Sequence, residues 1–376
     1  MAEPLKLFVV AGEPSGDRIG ADLIAQLQRR VPLAFAGVGG DELVGQGLKS
    51  LFPMNDLAVM GITDVLMRLP LLLWRIEQTA RAIAHAQPDI VVLIDAQDFS
   101  KRVAKRARRM GYRGAMLLYV APTVWARRPD RAAKLKPLFD EVLAVLPFEP
   151  EAMQRLGGPP TCYVGHPALG EVSLPSAPVE SGLIALLPGS RDGELRRHLP
   201  LMRELAAALI SEPNVTGFFM PTLPGLSERL QRETASWPVP VQIAANRDDR
   251  KELYGQSLLA ISVAGTATLE LALAGVPTIL TYVMDGPQAR TFDKLGRPQV
   301  GLANIISGRQ VVPEFVTATP DVAAVTAEAK SLVQNKQARQ DQITAFGELV
   351  KVMQTGTADA PRQNPADRVL SHWRKA

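Results

Sequence analysis

The chain is 376 residues long, 47% hydrophobic and 21% charged, with one cysteine, Cys162, and four histidines. At roughly 100–200 residues per domain that length implies two domains, and the composition excludes disordered, collagen-like and disulfide-stapled chains. The single cysteine and the scattered His85, His166, His198 and His372 give no Cys/His cluster at metal-ligand spacing, so a reducing compartment and no metal site are expected.

The formal charge of +4 is unevenly spread: Lys101–Lys136 holds twelve Lys/Arg against one acid, Asp130. Within it Lys101, Arg102, Lys105, Arg106, Arg108 and Arg109 fall on one stripe of a helix, which faces water or an anion such as a phosphate or an acidic lipid surface. No nucleic-acid-binding motif accompanies the charge, and aromatics are only 5% of residues, so nucleic acid is not an expected partner.

In chain order, the apolar run Leu7–Ala11 leads straight into a polar turn without a cleavage pattern, which predicts a first strand and not an export signal. Val65–Trp74 is broken by Arg68 and Pro70 and falls short of the roughly 20 apolar residues that span a bilayer. Apolar runs then alternate with amphipathic stretches: LKLFVVAG with 17–30, LAFAGVGG with 41–47, PDIVVLIDA with 99–110, AMLLYVAP with 127–136, EVLAVLPF with 149–156. Strands apolar throughout are buried on both faces, as in a parallel sheet wrapped by helices. The pattern lapses into Pro, Ser and Gly over HPALGEVSLPSAPVESG, which reads as a linker. It restarts with GLIALLPGS, VTGFFMPT, VPVQIAA, LLAISVAG and VPTILTY, each strand but the last with its helix. The expected organisation is a Rossmann-like domain over 1–168, a linker over 169–181, a second Rossmann-like domain over 182–319 and C-terminal helices over 320–376. Two doubly wound domains then face an interdomain cleft where ligands bind.

Four loops at strand tips carry the candidate chemistry. Gly12-Glu13-Pro14-Ser15-Gly16-Asp17 is neither a dinucleotide fingerprint nor a P-loop; it offers helix N-terminal amides, carboxylates and a hydroxyl for sugar hydroxyls or an anion, although a tight turn capped by Ser15 or Asp17 explains it too. Asp95 and Asp98 stand at the end of a buried strand, where one can act as general base and the other orient the sugar; the pattern does not choose between them. In the second half Gly189, Ser190, Arg191 and Glu194 combine amides, a hydroxyl and a guanidinium, a site for a diphosphate. Gly265, Thr266, Ala267, Thr268 and Glu270 repeat the design, with Glu270 placed to accept both hydroxyls of a ribose, although close helix–strand packing explains Gly265 and Ala267 equally well.

Taken together, AGEPSGD, GVGG, LAVMGITDVL, PDIVVLIDAQDF, YVAPTVWA, LPFE, VGHP, LLPGSR, GTATLE, LANIISGR and VVPEF, in this order and spacing, resemble the family of lipid-A-disaccharide synthases, inverting glycosyltransferases of GT-B architecture. The resemblance implies UDP-2,3-diacylglucosamine as donor, 2,3-diacylglucosamine 1-phosphate (lipid X) as acceptor, a β-1,6 bond, release of UDP, and no metal or other cofactor. It points to Asp98 as the base. The acceptor is then expected at Gly12, Glu13, Ser15, Gly16, Asp17 and Asn304, and the donor at the two loops of the second domain. Since both substrates are membrane lipids, peripheral docking on the cytoplasmic face of the inner membrane is expected through Met67, Leu71, Leu72, Trp74, Arg102, Arg106 and Arg109. Core packing explains Leu57–Trp74 equally well. A homo-oligomer is compatible with the sequence. Four positions depart from the family pattern: Gln97 stands where proline is usual, Ser100 replaces asparagine, Arg127 a tryptophan, and Val283 a basic residue before the unusual MDGPQAR. The competing readings are a UDP-GlcNAc 2-epimerase of the same architecture, acting on a soluble sugar, and a non-catalytic membrane-binding module.

Overall fold

In a computed structural model of the chain, described here for residues 3–57, 62–126 and 128–373, most of the uniformly apolar runs, Leu33–Val38 excepted because its first four residues alternate between half-buried and exposed, form strands sealed on both faces. The plainest case is Ile90–Ile94, all five residues of which are buried. The chain divides into two compact units, Met1–Pro167 together with Met353–Ala376, and Ala168–Val352.

The first unit contains β1 (Leu5–Ala11), α1 (Pro14–Gln28), β2 (Leu33–Val38), α2 (Asp41–Gly45), α3 (Ile62–Ala86), β3 (Ile90–Ile94), α4 (Gln97–Arg109), β4 (Ala115–Tyr119), α5 (Asp130–Leu135), β5 (Glu141–Ala144), α6 (Glu149–Arg155) and β6 (Thr161–Tyr163). Its strands lie in the order β2-β1-β3-β4-β5-β6, all parallel. The order reverses between β1 and β3, so their carboxyl ends open a crevice at the topological switch point. Two elements were not foreseen from sequence. Helix α3 runs for 25 residues with Pro70 inside it, and β6 is a three-residue edge strand that carries Cys162.

The second unit contains β7 (Gly182–Leu187), α7 (Asp192–Leu209), β8 (Val215–Pro221), α8 (Ser227–Thr234), β9 (Val241–Ala244), α9 (Arg247–Gly255), β10 (Ser257–Ser262), α10 (Thr266–Leu273), β11 (Thr278–Val283), α11 (Gly286–Lys294), α12 (Leu302–Ser307), β12 (Glu314–Thr317), α13 (Val322–Gln334) and α14 (Lys336–Thr355). The parallel order β12-β11-β10-β7-β8-β9 is the Rossmann order, with its switch point between β7 and β10. The half-buried strand β12 extends this sheet beyond VPTILTY. MDGPQAR turns out to be a helix start: Asp285 Oδ1 accepts the Gln288 amide at 2.8 Å and Gln288 Oε1 accepts the Asp285 amide at 3.0 Å, a reciprocal capping box on α11.

The stretch read as a linker packs on the second unit. The Ser173 amide donates to the Leu273 carbonyl, and a side chain at Gly275, where φ is +69°, would strike Pro175 at 2.3 Å. The C-terminal segment divides between the units: α13 packs on α7, β10 and β11, whereas α15 (Pro365–Trp373) packs on α1, β3 and β4. Among the described residues no helix is long and apolar enough to cross a membrane.

Candidate active site

In the first unit the switch-point loops are the ones that carry Gly12–Asp17 and Asp95–Asp98. They touch: a Cβ on Gly12 would lie 2.6 Å from that of Ala96, so only glycine lets the two turns pass. Gly16 is packed against Ile94. Glu13 and Ser15 are exposed at the crevice. Asp17 is not. Its side chain is buried, with Oδ1 accepting the Gly40 amide at 2.7 Å and Oδ2 the Glu42 amide at 2.9 Å. This carboxylate anchors the N-terminus of α2 and is 2% exposed, so it is turned into the fold and not toward an acceptor sugar as expected from sequence.

At the tip of β3 the backbone takes two left-handed residues in succession, Asp95 at φ +52° and Ala96 at φ +42°. Asp95 is pinned through its own backbone: its amide donates to the Tyr119 carbonyl at 2.9 Å and its carbonyl accepts the Ser100 hydroxyl at 2.7 Å. Burial holds the Asp95 carboxyl above the usual carboxylate range, opposed in part by the Ala96 amide. Asp98, in the first turn of α4, points outward with its side chain 75% exposed, 3.8 Å from the Arg131 guanidinium. Both acids thus stand at the same strand tip in different surroundings, one half-buried and one open. Ser100, which departs from the usual asparagine, has a defined role as the bond that closes this turn.

In the segment that follows β4, Trp125 packs edge-on to Phe148 with ring centroids 5.0 Å apart. Its indole N–H points at Glu149 Oε1 at 3.4 Å, while Glu149 Oε2 accepts the Val145 and Leu146 amides at 3.2 and 3.0 Å. Glu149 is buried, which pushes its carboxyl up to about 8, and burial lowers the His166 imidazole to about 4. The motifs LPFE and VGHP contain these two residues, but spacing alone gave no hint of their burial. Arg127 lies outside the described residues, as do 58–61 within LAVMGITDVL.

In the second unit the ends of β7 and β10 are tied by the Val263 amide to the Leu187 carbonyl at 3.0 Å, so the Gly189–Glu194 and Gly265–Glu270 loops lie on neighbouring strand tips. Gly189, at φ +97°, allows the first loop to fold over Glu194. Glu194 is a brace: Oε2 accepts the Ser190 and Arg191 amides at 3.2 and 3.3 Å, and Oε1 the Arg191 guanidinium at 2.9 Å. The donors predicted to hold a diphosphate are here held by a carboxylate. Gly265 and Thr266 are exposed at the start of α10, Ala267 is half-buried, and Glu270 is exposed one turn on. Thr268 is buried, its hydroxyl donating to the Gly265 carbonyl at 2.7 Å, and so shapes the loop.

His198 was not singled out from sequence. Buried on α7, it places Nδ1 2.8 Å from the Glu194 carbonyl and accepts the Val283 amide on Nε2 at 2.8 Å. This requires the neutral ring with the proton on Nδ1, and burial lowers its pKa. Arg197 donates to the Val283 carbonyl at 2.8 Å, so position 283 is held through its backbone whatever its side chain.

Asn304 is also corrected. It is buried in the second unit, its Oδ1 accepting the Val311 and Val312 amides at 2.7 and 2.8 Å and its Nδ2 donating to the Val312 carbonyl and Glu314 Oε1 at 2.8 and 2.7 Å. Every hydrogen-bonding position of Asn304 is used within 304–314, so this side chain braces its own segment.

The docking residues are redistributed as well. Arg106 donates to Glu77 of α3 at 2.6 and 3.1 Å, and Leu72 packs on the core of the first unit. Leu71 is half-buried, and the Met67 side chain lies outside the described residues. Among the described side chains of α3, Leu69, Leu73 and Trp74 are exposed and apolar, the last 54% exposed and stacked under the Arg75 guanidinium at 4.1 Å. Arg102, Lys105 and Arg109 are exposed on α4, which packs beside α3.

Two parallel α/β units with Gly-bounded helix starts at both switch points define the GT-B fold class. The calicheamicin glycosyltransferase CalG4 shares the fold at a TM-score of 0.55 and 15% identity, over 100% of this chain and 99% of that one. The UDP-GlcNAc 2-epimerase of Neisseria meningitidis, bound to UDP-GlcNAc, shares it at 0.58 and 12%, over 93% of this chain and 98% of that one. At such identities the likeness is one of fold. Sequence goes further: the family described as lipid-A-disaccharide synthetase matches residues 7–363. The lipid-A-disaccharide synthase of Rhodopseudomonas palustris (strain HaA2) is 38% identical over 98% of this chain and 97% of its own length. The chain belongs to the lipid-A-disaccharide synthetase family, and it is a transferase of lipid A biosynthesis.

Proposed function

We propose that the chain joins 2,3-diacylglucosamine from its UDP ester to the 6-hydroxyl of 2,3-diacylglucosamine 1-phosphate, with Asp98 as general base and the two loops of the second unit as the donor site. Asp98 takes the hydroxyl proton, the freed oxygen bonds to the anomeric carbon from the face opposite UDP, and the bond to the diphosphate breaks with its electron pair leaving on UDP. The configuration inverts to β. Arg191 and the helix starts at Asp192 and Thr266 balance the departing charge. Asp95 and the exposed Glu13 and Ser15 orient the acceptor sugar, and Glu270 holds the ribose. The first unit therefore serves the acceptor and the membrane, and the second the donor.

The observation that carries this reading is the pair of acids on the left-handed tip of β3, within touching distance of the Gly12 turn. The experiment is mass spectrometry of products from purified protein with both lipid substrates. Asp98→Ala is expected to abolish transfer while UDP still binds, and Asp95→Ala to be milder. Near-normal transfer by correctly folded Asp98→Ala overturns the assignment.

The exposed Leu69, Leu73 and Trp74 beside Arg102, Lys105 and Arg109 support peripheral docking on an anionic membrane surface, the source of both lipids.

A further inference from the structure

Val120 follows β4 directly and has φ +75°, a conformation that a β-branched residue adopts only under constraint. It lies at the strand tip next to that of β3, where Asp95 and Ala96 are also left-handed. Three non-glycine residues in this region therefore meet across two neighbouring strands, each in a conformation that costs energy. Their persistence needs ties that leave no relaxed alternative. Most of those ties are backbone: Asp95 N–H to the Tyr119 carbonyl, and Val120 N–H to the Leu143 carbonyl, both at 2.9 Å. The Val120 carbonyl, on the other side of the strained residue, is held by a side chain. Gln97 Nε2 donates to it at 2.9 Å.

Gln97 is the first residue of α4, one position before Asp98 and two after Asp95. Its side chain is half-buried. It spans from the acid-bearing turn to the tip of β4, from which YVAPTVWA continues to Trp125. A proline at this position would lack the donor and would drive Ala96 out of the left-handed region, because a residue before proline is pushed to extended conformations. The glutamine and the left-handed turn therefore belong together.

From this geometry we infer that Gln97 is a positioning residue for the transfer reaction: by tethering the Val120 carbonyl it fixes the strained β4 tip against the β3 tip and so sets the placement of Asp95 and Asp98. The inference rests on those acids serving the acceptor. The tether acts through geometry alone, since Gln97 carries no charge and gives up no proton. A placement error of about 1 Å at reacting groups costs on the order of 100-fold in rate, whereas one neutral hydrogen bond adds little to overall stability. Breaking the tether also releases strain at Val120, which offsets that loss.

The test uses Gln97→Met, which keeps length and volume without a donor, and Gln97→Leu, a second uncharged side chain without a donor. Both are expected to lower kcat about 10- to 100-fold, to leave KM for the UDP-sugar donor within about twofold, and to leave the thermal midpoint unchanged. Hydrogen exchange at the Val120 amide is expected to quicken in both. The proposal is overturned if either variant keeps the wild-type kcat, if kcat falls only with the folded fraction, or if exchange at Val120 does not change. Asp98→Ala and Asp95→Ala are assayed alongside. Full transfer by both acid variants defeats the reading of the acids, whereas a silent Gln97 with essential acids defeats the tether alone.

Discussion

Arg191 donates to its own helix-start carboxylate, Glu194 Oε1, at 2.9 Å, while the loop amides of Ser190 and Arg191 converge on Oε2. A diphosphate arriving at this loop meets donors already aligned and competes with Glu194 for them. Arg191 is 80% exposed at its side chain, so its removal bears on binding more than on folding. Arg191→Ala is expected to weaken UDP by about 10- to 100-fold, as for a charge-assisted hydrogen bond of about 1.5–3 kcal/mol, and Arg191→Lys to rescue little of this because it lacks the planar fork. Isothermal titration with UDP checks both, and unchanged affinity in Arg191→Ala removes the diphosphate from this loop. Since a guanidinium and helix amides supply the positive field, EDTA is expected to leave the transfer rate unchanged.

Asp17 tests the distinction between scaffold and ligand group. Asp17→Asn keeps the shape but can turn only one oxygen toward the amides of Gly40 and Glu42, and sets an NH2 against the other N–H. A loss of about 1–3 kcal/mol in urea unfolding is expected. If stability is unchanged while KM for the acceptor rises, Asp17 belongs to the acceptor after all.

Glu149 makes stability depend on pH in an unusual direction. Its carboxyl is pushed up to about 8 from the ordinary 4.5 by burial, so the folded state binds the extra proton and stability falls as pH rises from 4.5 to 8. His166, lowered to about 4 from 6.5, gives the opposite slope, with stability rising with pH over 4 to 6.5. Between pH 6.5 and 8 the Glu149 contribution stands without that of His166. Over this window the urea midpoint of the unaltered chain is expected to decline, and that of Glu149→Gln to decline less. Parallel declines would mean that the Glu149 carboxyl is ionised in the folded protein.

The basic face of α4 is tested with its exposed cations other than Arg106, which is paired with Glu77. Replacing Arg102, Lys105 and Arg109 by glutamate is expected to reduce sedimentation with anionic vesicles, since each cation near such a surface contributes about 1 kcal/mol. Turnover of short-chain, detergent-dispersed substrates is expected to fall far less. Wild-type sedimentation of the triple variant would assign the stripe to water, and equal loss of both properties would assign it to substrate binding.

The parallel sheets and the four loops were legible because fully apolar strands and Gly-bounded turns leave strong local marks. Helix α3 was hidden because Arg68 and Pro70 interrupt its apolar run, and β6 and β12 because three or four residues are too few to show a period. At single positions the limit was distance along the chain. Asp17 is defined by an amide 23 residues away, and Val283 by His198, 85 residues away. Asn304 looked like a ligand group for the same reason: a buried amide with all its valences spent and an exposed one waiting for a sugar are written with the same letter. Arg106 falls on the helical stripe read from sequence, but only the neighbouring helix reveals which members of a stripe are already paired.

Helix α15 has a consequence for the order in which the protein is made. Its Arg368 and His372 hold the buried carboxylate of Glu141 at 2.6 and 2.9 Å, Asn364 donates to Gln26 at 3.0 Å, and Asp367 pairs with Arg30. Every one of those partners leaves the ribosome early, whereas α15 is synthesised only after the whole of the second unit. Throughout that interval the nascent first unit has an uncovered flank and an uncompensated acid at the start of β5. Its native state is therefore closed late, by a segment translated only after the second unit, and a pause or a cut anywhere before residue 353 leaves a partly open fold for chaperones and proteases.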